Sequence, residues 1–225
     1  ILAGGAESLC RLTMAGFGSL GVLDERGTRP LCAERNGINL GEGAAFFVLE
    51  KASTARARNI PILGYILGYS GNSEAHHMVH PKEDGSGAKK AMQEALTSAN
   101  LDPSTIDYVN AHGTGTKQND AMESLAITDL FGEHSSTKVA SSKSQVGHTL
   151  GAAGAVEAAL IVLGMQRNFI PPSVGITSQL AQLGAHKLIQ DAGEESSEVA
   201  ISSSFAFGGN NASLVLSKNR PVSHP

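Results

Sequence analysis

Apolar residues occur along the chain in short blocks that alternate between two periods. Short apolar runs bounded by glycine or polar turns predict strands. These runs lie at residues 2–7, 44–49, 61–69, 106–109, 138–141, 198–204 and 212–216. Runs of good helix formers predict helices at residues 51–58, 88–99, 120–131 and 151–165. Because strands and helices alternate, the pattern predicts an α/β layered architecture.

Two connections in this pattern are informative. The segment near residues 52–61 predicts a seam between two sub-domains. The segment 205–211, between the last two predicted strands, reads Phe-Ala-Phe-Gly-Gly-Asn-Asn and predicts a hairpin-like turn.

Composition excludes several classes of protein. Hydrophobic residues at 41% and charged residues at 17% are typical of a globular protein. A net charge of -4 gives no reason to expect nucleic acid as a partner. Two cysteines, Cys10 and Cys32, do not form a disulfide scaffold, which favours a reducing compartment such as the cytoplasm or an organelle matrix.

Targeting and membrane signals are also weak. The longest apolar segment, residues 152–165, is interrupted by Glu157, so no membrane span is predicted. The first residues have no basic stretch of the kind that opens a signal peptide. They do not begin with Met and resemble the end of a buried strand, so we expect the sequence to start within a domain.

Candidate chemistry is concentrated around two histidines. Lys143 and His148 lie in a loop between a predicted strand and the apolar helix, followed by small residues that permit close approach of a ligand. His112 follows another strand and precedes the Gly-Thr-Gly-Thr stretch of residues 113–116. Such a histidine can bind an oxyanion or a thioester carbonyl, although a structural loop histidine has the same pattern. The GTGTK segment lacks phosphate-loop spacing.

Three further groups of residues allow alternatives. A buried Lys143 needs a carboxylate, which Glu123 or Asp120 would supply, whereas an exposed lysine would need none. Three histidines in residues 76–80 suggest a metal, but no nearby cysteine or carboxylate completes a zinc set, so no metal site is predicted. Phe205 and Phe207 beside Gly208 form either a movable pocket wall or a plain hairpin with core aromatics.

Taken in order, three motifs carry a family resemblance. They are AHGTGT at 111–116, KSQVGHTLGAAG at 143–154 and SFAFGGNN at 204–211. The chain resembles the β-ketoacyl-acyl carrier protein synthases, condensing enzymes of the thiolase-like class, especially the elongating type of fatty-acid and polyketide synthesis. The segments LAGGAE, ERNGINLGEGAAFFVLE, AHHM and DYVNAHGTGT also match that pattern. The resemblance implies an α/β, thiolase-like layered fold of two similar halves, with residues 1–55 ending the first half and residues 56–225 forming the second.

The resemblance also implies roles for individual residues. His112 and His148 would hydrogen-bond the malonyl thioester carbonyl and stabilise the enolate formed by decarboxylation. Lys143 would pair with Glu123 and orient the site. Phe207 would gate the pocket, with its backbone N–H in the oxyanion hole.

The remaining implied contacts are with substrate. Thr114 and Thr116 would contact the pantetheine arm of acyl carrier protein, and Phe205 and Gly208 would line the substrate site. The resemblance implies no metal and no separate cofactor, because substrates arrive on the carrier's phosphopantetheine. It also implies a homodimer. Ala206 and Asn210 depart from the family's usual glycine and threonine, which would stiffen the gate and alter the turn.

One departure concerns the nucleophile. The family's acyl-accepting cysteine precedes the segment that matches LAGGAE, so neither Cys10 nor Cys32 matches it. We therefore expect this chain to be part of a complete condensing enzyme and to be inactive in condensation by itself. The alternatives are a non-catalytic partner subunit resembling a chain-length factor, although those usually lose the histidines, and a hydrolase or thiolase relative that does not use malonate.

Overall fold

The computed structural model describes residues 1–133, 135–193 and 195–219. The strands within these ranges are β1 (Leu2–Glu7), β2 (Gly43–Val48), β3 (Tyr65–Ser73), β4 (Tyr108–Asn110), β5 (Lys138–Ala140), β6 (Lys187–Leu188), β7 (Val199–Ala206) and β8 (Asn210–Ser217). The α-helices are α1 (Arg11–Ser19), α2 (Ala52–Ala57), α3 (Ser86–Ala99), α4 (Lys117–Phe131), α5 (Lys143–Val146) and α6 (Ala153–Arg167). Short 3₁₀ turns occur at Pro103–Thr105, Leu150–Ala152, Ala181–Leu183 and Phe207–Gly209. The predicted α/β alternation is confirmed.

A six-stranded mixed sheet positions the candidate motifs. Its strand order is β3-β8-β7-β4-β5-β6, in which β4 runs parallel to both β5 and β7. The carboxyl ends of parallel strands meet at one edge of a sheet, which is the usual location of ligand sites in such folds. His112 follows β4, Lys143 follows β5 and Phe207 follows β7, so three separate sequence motifs are brought to the same edge.

Helices cover both faces of this sheet. Neighbouring residues of a strand point to opposite faces. Val109 accordingly packs with Met92 of α3 and Met122 of α4, while Tyr108 packs with Ile161 of α6. The result is a three-layer arrangement with the sheet in the middle.

A separate two-stranded sheet is formed by β1 and β2. The strands pair antiparallel, with Leu2 opposite Val48 and Gly4 opposite Phe46. One face packs toward α6 through Phe47, whereas Leu2, Phe46 and Val48 on the other face are exposed. The pair therefore buries one face only.

Some elements were not predicted from the sequence. Helix α1 lies where glycines interrupt an apolar stretch, and the thiol of Cys10 caps it by accepting from the Thr13 N–H. Its two glycines, Gly16 and Gly18, are poor helix formers, which is why no helix was predicted there. The short strand β6 was also not predicted, because its two residues give too little pattern to detect.

One stretch within the described residues has the length and composition of a membrane span. It is Leu150–Arg167, with a mean hydropathy of 1.2. Core helices of globular folds have the same properties, so this is weak evidence for a span. Here the stretch contains α6, which packs against the sheet and buries Glu157.

Candidate active site

His112 is held in place by a carboxylate of the following helix. Glu123 of α4 accepts from the backbone N–H of His112 at 2.7 Å and from that of Gly113 at 2.8 Å. Gly113 has φ +41°, and a Cβ there would lie 2.5 Å from Ser141, so the position requires glycine. Burial raises the pKa of Glu123 to about 7, although the two N–H donors oppose the rise.

The Thr114–Thr116 loop is fixed from the opposite side by residues 28–35. Asp120 accepts from the backbone N–H of Gly115 at 3.1 Å and of Leu31 at 2.7 Å. Arg35 lies 3.8 Å from this carboxylate and donates to the carbonyl of Thr116. The two threonine hydroxyls are 2.9 Å apart and hydrogen-bond each other. Sequence reasoning missed Arg35, whose position within the ERNG motif was the only available signal.

His148 is positioned by the segment that precedes β2. Its backbone N–H donates to the carbonyl of Asn39 at 2.7 Å, and its carbonyl accepts from Gly41 at 3.0 Å. A Cβ on Gly41 would lie 2.1 Å from the carbonyl oxygen of Val146. The Leu-Gly-Glu-Gly segment at residues 40–43 therefore serves as a backbone support for His148.

The two histidines lie side by side. Their ring centroids are 5.2 Å apart and the rings are nearly perpendicular, with an angle of 83°. Nδ1 of His148 accepts from the backbone N–H of Leu150 at 3.2 Å. Nδ1 of His112 lies 3.4 Å from Nζ of Lys143. Because Nδ1 of each ring faces a donor, the neutral rings both carry their proton on Nε2 and can donate there.

The electrostatics keep both rings neutral. Burial, together with the charge of Lys143 and the neighbouring His148, lowers the pKa of His112 well below its ordinary value. Burial and Lys143 lower the pKa of His148 to about 3. At neutral pH the pair therefore acts as two hydrogen-bond donors rather than as acids.

The prediction that Lys143 pairs with Glu123 is wrong. Lys143 forms its ion pair with Glu157 of α6, not with Glu123, and both side chains are almost fully buried. Glu123 instead accepts hydrogen bonds from the backbone N–H groups of His112 and Gly113. Asp120 accepts from those of Leu31 and Gly115. The available signal was the charge of Glu157 within an apolar helix, which calls for a buried partner.

The aromatic turn lies next to the histidines. Phe205 at the end of β7 is buried, with its ring centroid 5.7 Å from that of His112. Phe207 is half exposed and stacks on Phe17 of α1 at 6.0 Å. The Gly208 N–H donates to the carbonyl of Met78 at 2.7 Å, so this N–H is occupied by protein. The turn therefore contacts both α1 and the histidine-rich loop.

The histidine-rich loop uses its side chains to hold its own shape. Nδ1 of His77 accepts from the backbone N–H groups of Val79 and His80, and Nδ1 of His80 contacts the Gln118 amide. Among the described residues, no group of three His, Cys, Asp or Glu side chains is placed to hold a metal ion.

In the described part of the chain, the side-chain hydrogen bonds of the two cysteines go to Thr13, Glu34 and Thr177 and not to His112 or His148. Cys10 is exposed, and hydrogen bonds from Thr13 lower the pKa of its thiol. Its position at a helix N-terminus is one that favours a thiolate, but its hydrogen-bond partner is Thr13. Cys32 is buried and donates to Glu34.

The comparisons with known proteins agree with this arrangement. The profile of the family "Beta-ketoacyl synthase, C-terminal domain" matches residues 63–177. The 3-oxoacyl-[acyl-carrier-protein] synthase 2 of Rhizobium meliloti is 40% identical over 225 residues, covering 96% of this chain and 53% of the relative.

Two solved structures superpose closely. The ishigamide ketosynthase/chain length factor superposes with a TM-score of 0.91 at 35% identity, covering 97% of this chain and 54% of that one. A type II polyketide synthase acyl-carrier protein in complex with its ketosynthase (AntDE:AntF) gives 0.91 at 30% identity, covering 97% and 56%. The chain thus spans about half the length of the relatives it matches.

The fold and the sequence matches together identify the class and the family of this chain. A mixed sheet between helical layers, with the motif residues at the carboxyl ends of its strands, is the thiolase-like fold of the ketosynthases. The chain belongs to the β-ketoacyl synthase family and carries that family's C-terminal domain.

Proposed function

We propose that the protein containing this chain is a β-ketoacyl-acyl carrier protein synthase, an acyltransferase that extends fatty-acid or polyketide chains by two carbons. The reaction is a decarboxylative Claisen condensation of malonyl-acyl carrier protein with an acyl thioester. The observation that carries the proposal is the pair of buried, neutral histidines, each with an N–H at Nε2.

The chemistry follows from those two donors. When malonyl thioester loses CO₂, the electrons of the broken C–C bond form an enolate whose negative charge develops on the thioester oxygen. Two N–H groups placed at that oxygen stabilise the charge as it forms. The enolate carbon then attacks an acyl thioester carbonyl, and the acyl-bearing sulfur leaves as a thiolate. Neutral rings suit this task, because a permanent donor is needed at the oxygen rather than a proton transfer.

The acyl-bearing thiol is a separate part of the proposal. The thiols of Cys10 and Cys32 hydrogen-bond to Thr13 and Glu34, and neither cysteine matches the position of the family's nucleophile. We therefore assign acyl transfer to a cysteine other than these two. By this proposal the chain by itself catalyses at most the decarboxylation of malonyl thioester. It does not catalyse the condensation.

The other site residues are assigned in the same way. Thr114 and Thr116 contact the pantetheine arm, Phe205 and Gly208 border the substrate, and Phe207 gates the pocket. Support comes from their position at the same sheet edge as His112 and from the contact between Phe205 and His112. Lys143 orients His112, with Glu157 as its counter-ion.

The partners and organisation are proposals as well. Acyl carrier protein is the substrate carrier, supported by the names of the matched synthase and of the solved complex. A homodimer, the absence of a separate cofactor and a division into residues 1–55 and 56–225 follow the family pattern. The two separate sheets support that division. Free cysteines favour the cytoplasm or an organelle matrix.

The test is release of CO₂ from malonyl-acyl carrier protein by the complete protein. His112→Ala or His148→Ala removes one N–H donor, and we expect each to reduce decarboxylation by at least about 100-fold. His76→Ala, which removes an exposed imidazole, serves as the matched control and should retain the wild-type rate. Wild-type rates in either site variant would refute the proposal.

A second candidate is a non-catalytic partner subunit, favoured by the match to a structure that includes a chain length factor. Intact mass before and after incubation with an acyl-carrier thioester separates the two. One acyl adduct on a cysteine other than Cys10 and Cys32 supports the synthase. No adduct, together with co-purification of a cysteine-bearing homologue, supports the partner subunit.

A further inference from the structure

A buried tyrosine and asparagine share one face of β4. Tyr108 and Asn110 are two positions apart on the strand, so their side chains point to the same side, and each is only 1% exposed. The phenol of Tyr108 donates to Oδ1 of Asn110 at 3.1 Å. A buried tyrosine hydroxyl needs such a partner, and here the partner is a side chain of the site's own strand.

The other end of the Asn110 amide faces a carboxylate. Nδ2 lies 3.3 Å from Oε2 of Glu157 and 3.4 Å from the hydroxyl of Ser202 on β7. If the amide turned over, its carbonyl oxygen would face the carboxylate and repel it. The carboxylate of Glu157, which only accepts, therefore selects the orientation in which Asn110 donates to it. The Tyr108 hydroxyl holds the amide in that orientation by donating to Oδ1.

The line of contacts continues to the histidine. The second oxygen of Glu157 pairs with Lys143, and Nζ of Lys143 lies 3.4 Å from Nδ1 of His112. Tyr108, Asn110, Glu157 and Lys143 thus form a continuous buried chain that ends at the ring proposed to stabilise the enolate.

We infer that Tyr108 is a positioning residue, whose hydroxyl fixes the Asn110 amide and thereby keeps the Lys143–Glu157 ion pair formed beside His112. The inference rests on the proposed function for its consequence in catalysis. Whether the ion pair is formed and whether His112 accepts from Lys143 can be observed without measuring catalysis.

The charges around Glu157 give the direction of the effect. Burial raises the pKa of Glu157, while Lys143 and the hydrogen bond from Asn110 lower it. Among the described residues, the titratable groups that face Glu157 are Lys143 and Tyr108 of β4. From β7, the Ser202 hydroxyl lies beside the Asn110 amide. Lys143 in turn interacts with His112, His148 and Glu123. Loss of the Asn110 donor therefore moves the protonation of Glu157 to higher pH.

The first experiment is the pH profile of malonyl decarboxylation by the complete protein carrying Tyr108→Phe. The variant keeps the ring that packs against α6 and removes only the hydroxyl. We expect the acid limb of the profile to move to higher pH, with a loss of about tenfold on that limb and recovery above it. Ser213→Ala is the matched control, because it removes a buried hydroxyl whose hydrogen bond, within the described residues, is to Ser203 of the same sheet. Its profile should equal that of the wild type.

Two outcomes overturn the inference while leaving the proposed function intact. One is an unchanged profile in Tyr108→Phe. The other is a loss by the same factor at every pH, which a purely structural role would produce. Asn110→Asp, which places a second carboxylate beside Glu157, should move the limb in the same direction and further.

A second measurement, which does not depend on activity, tests the inference even if the wild type does not decarboxylate malonyl thioester. The ¹⁵N signals of His112, followed by NMR across the pH range, report whether Nδ1 accepts from Lys143. We expect Tyr108→Phe to change the pH at which these signals shift. Unchanged signals would overturn the inference, whereas an inactive wild type with changed signals would overturn only the proposed function.

Discussion

At the scale of single residues, the site is defined by buried ionisable side chains that hold one another in unusual states. The members are His112, His148, Lys143, Glu123 and Glu157. Burial lowers the pKa of both histidines and raises that of both glutamates. The Lys143–Glu157 ion pair places a positive charge beside rings that must stay neutral, so it helps to keep protons off them.

Removal of the counter-ion should be far more costly than removal of a surface charge. Glu157→Gln leaves Lys143 buried and unpaired, and we expect a loss of about 3–5 kcal/mol in the free energy of unfolding. Glu94→Gln breaks the exposed Lys90–Glu94 pair and should cost less than about 1 kcal/mol. Urea denaturation of the two variants checks the difference. Equal losses would show that Lys143 finds another partner or is solvated.

The neutral state of His148 should be visible in a titration. Because its pKa in the folded protein is about 3, against 6.5 ordinarily, the unfolded state binds more protons between these values. The stability that His148 contributes is therefore fully present above 6.5 and is lost as the pH falls toward 3. We expect NMR to show a neutral His148 ring in the folded protein at pH values where the urea-unfolded chain is protonated. A folded-state transition near 6.5 would contradict the assignment.

Glu123 acts in the opposite direction, so the total pH dependence alone cannot isolate His148. With a folded pKa of about 7 against 4.5, Glu123 contributes stability that is lost as the pH rises through that interval. The control is therefore the His148→Gln variant, which retains Glu123. Between pH 6.5 and 3 the wild type should lose more stability than this variant.

At the scale of elements, the sequence predicted where the chemistry lies better than how it is connected. Periodicity located the strands that precede His112 and Lys143, because short apolar runs between turns are clear signals. It could not show that β4, β5 and β7 are neighbours, nor that α6 brings Glu157 to Lys143. Those facts depend on long-range packing. Helix α1 was missed because Gly16 and Gly18 lie within it, and glycine is a poor helix former.

The contact between β3 and α3 offers a test of element packing. A Cβ on Gly68 of β3 would lie 2.4 Å from the carbonyl oxygen of Ala95 and 2.5 Å from the amide nitrogen of Ala99. Gly68→Ala must push the helix from the strand, and we expect a loss of about 1–3 kcal/mol in stability. Gly71→Ala on the same strand meets only Asn211 at 3.8 Å and should change stability by less than about 0.5 kcal/mol. Thermal unfolding of both variants tests this prediction. Equal unfolding midpoints would refute the close approach of β3 to α3 at Gly68.

At the scale of the whole molecule, the two sheets differ in how completely they are covered. Helices cover both faces of the six-stranded sheet, whereas β1 and β2 pack on one side only. The first residues resemble the end of a buried strand in the sequence, whereas in the structure every second residue of β1 and β2 is exposed. The exposed side chains are Leu2 at 70%, Phe46 at 60% and Val48 at 75%. Adjacent exposed apolar side chains of this kind form contact surfaces.

The open face of β1 and β2 should make the 225-residue chain self-associate. We expect light scattering to show a mean mass above 23.2 kDa that rises with concentration, because apolar area is removed from water when copies meet. Phe46→Thr with Val48→Thr should bring the mass toward that of the monomer without changing the strand pairing, since threonine favours strands. The matched control, Ile66→Thr with Tyr69→Thr, removes two exposed apolar side chains from β3 in the other sheet and should leave association in place. A monomeric wild type at every concentration, or equal effects of the two double variants, would show that this face does not drive association.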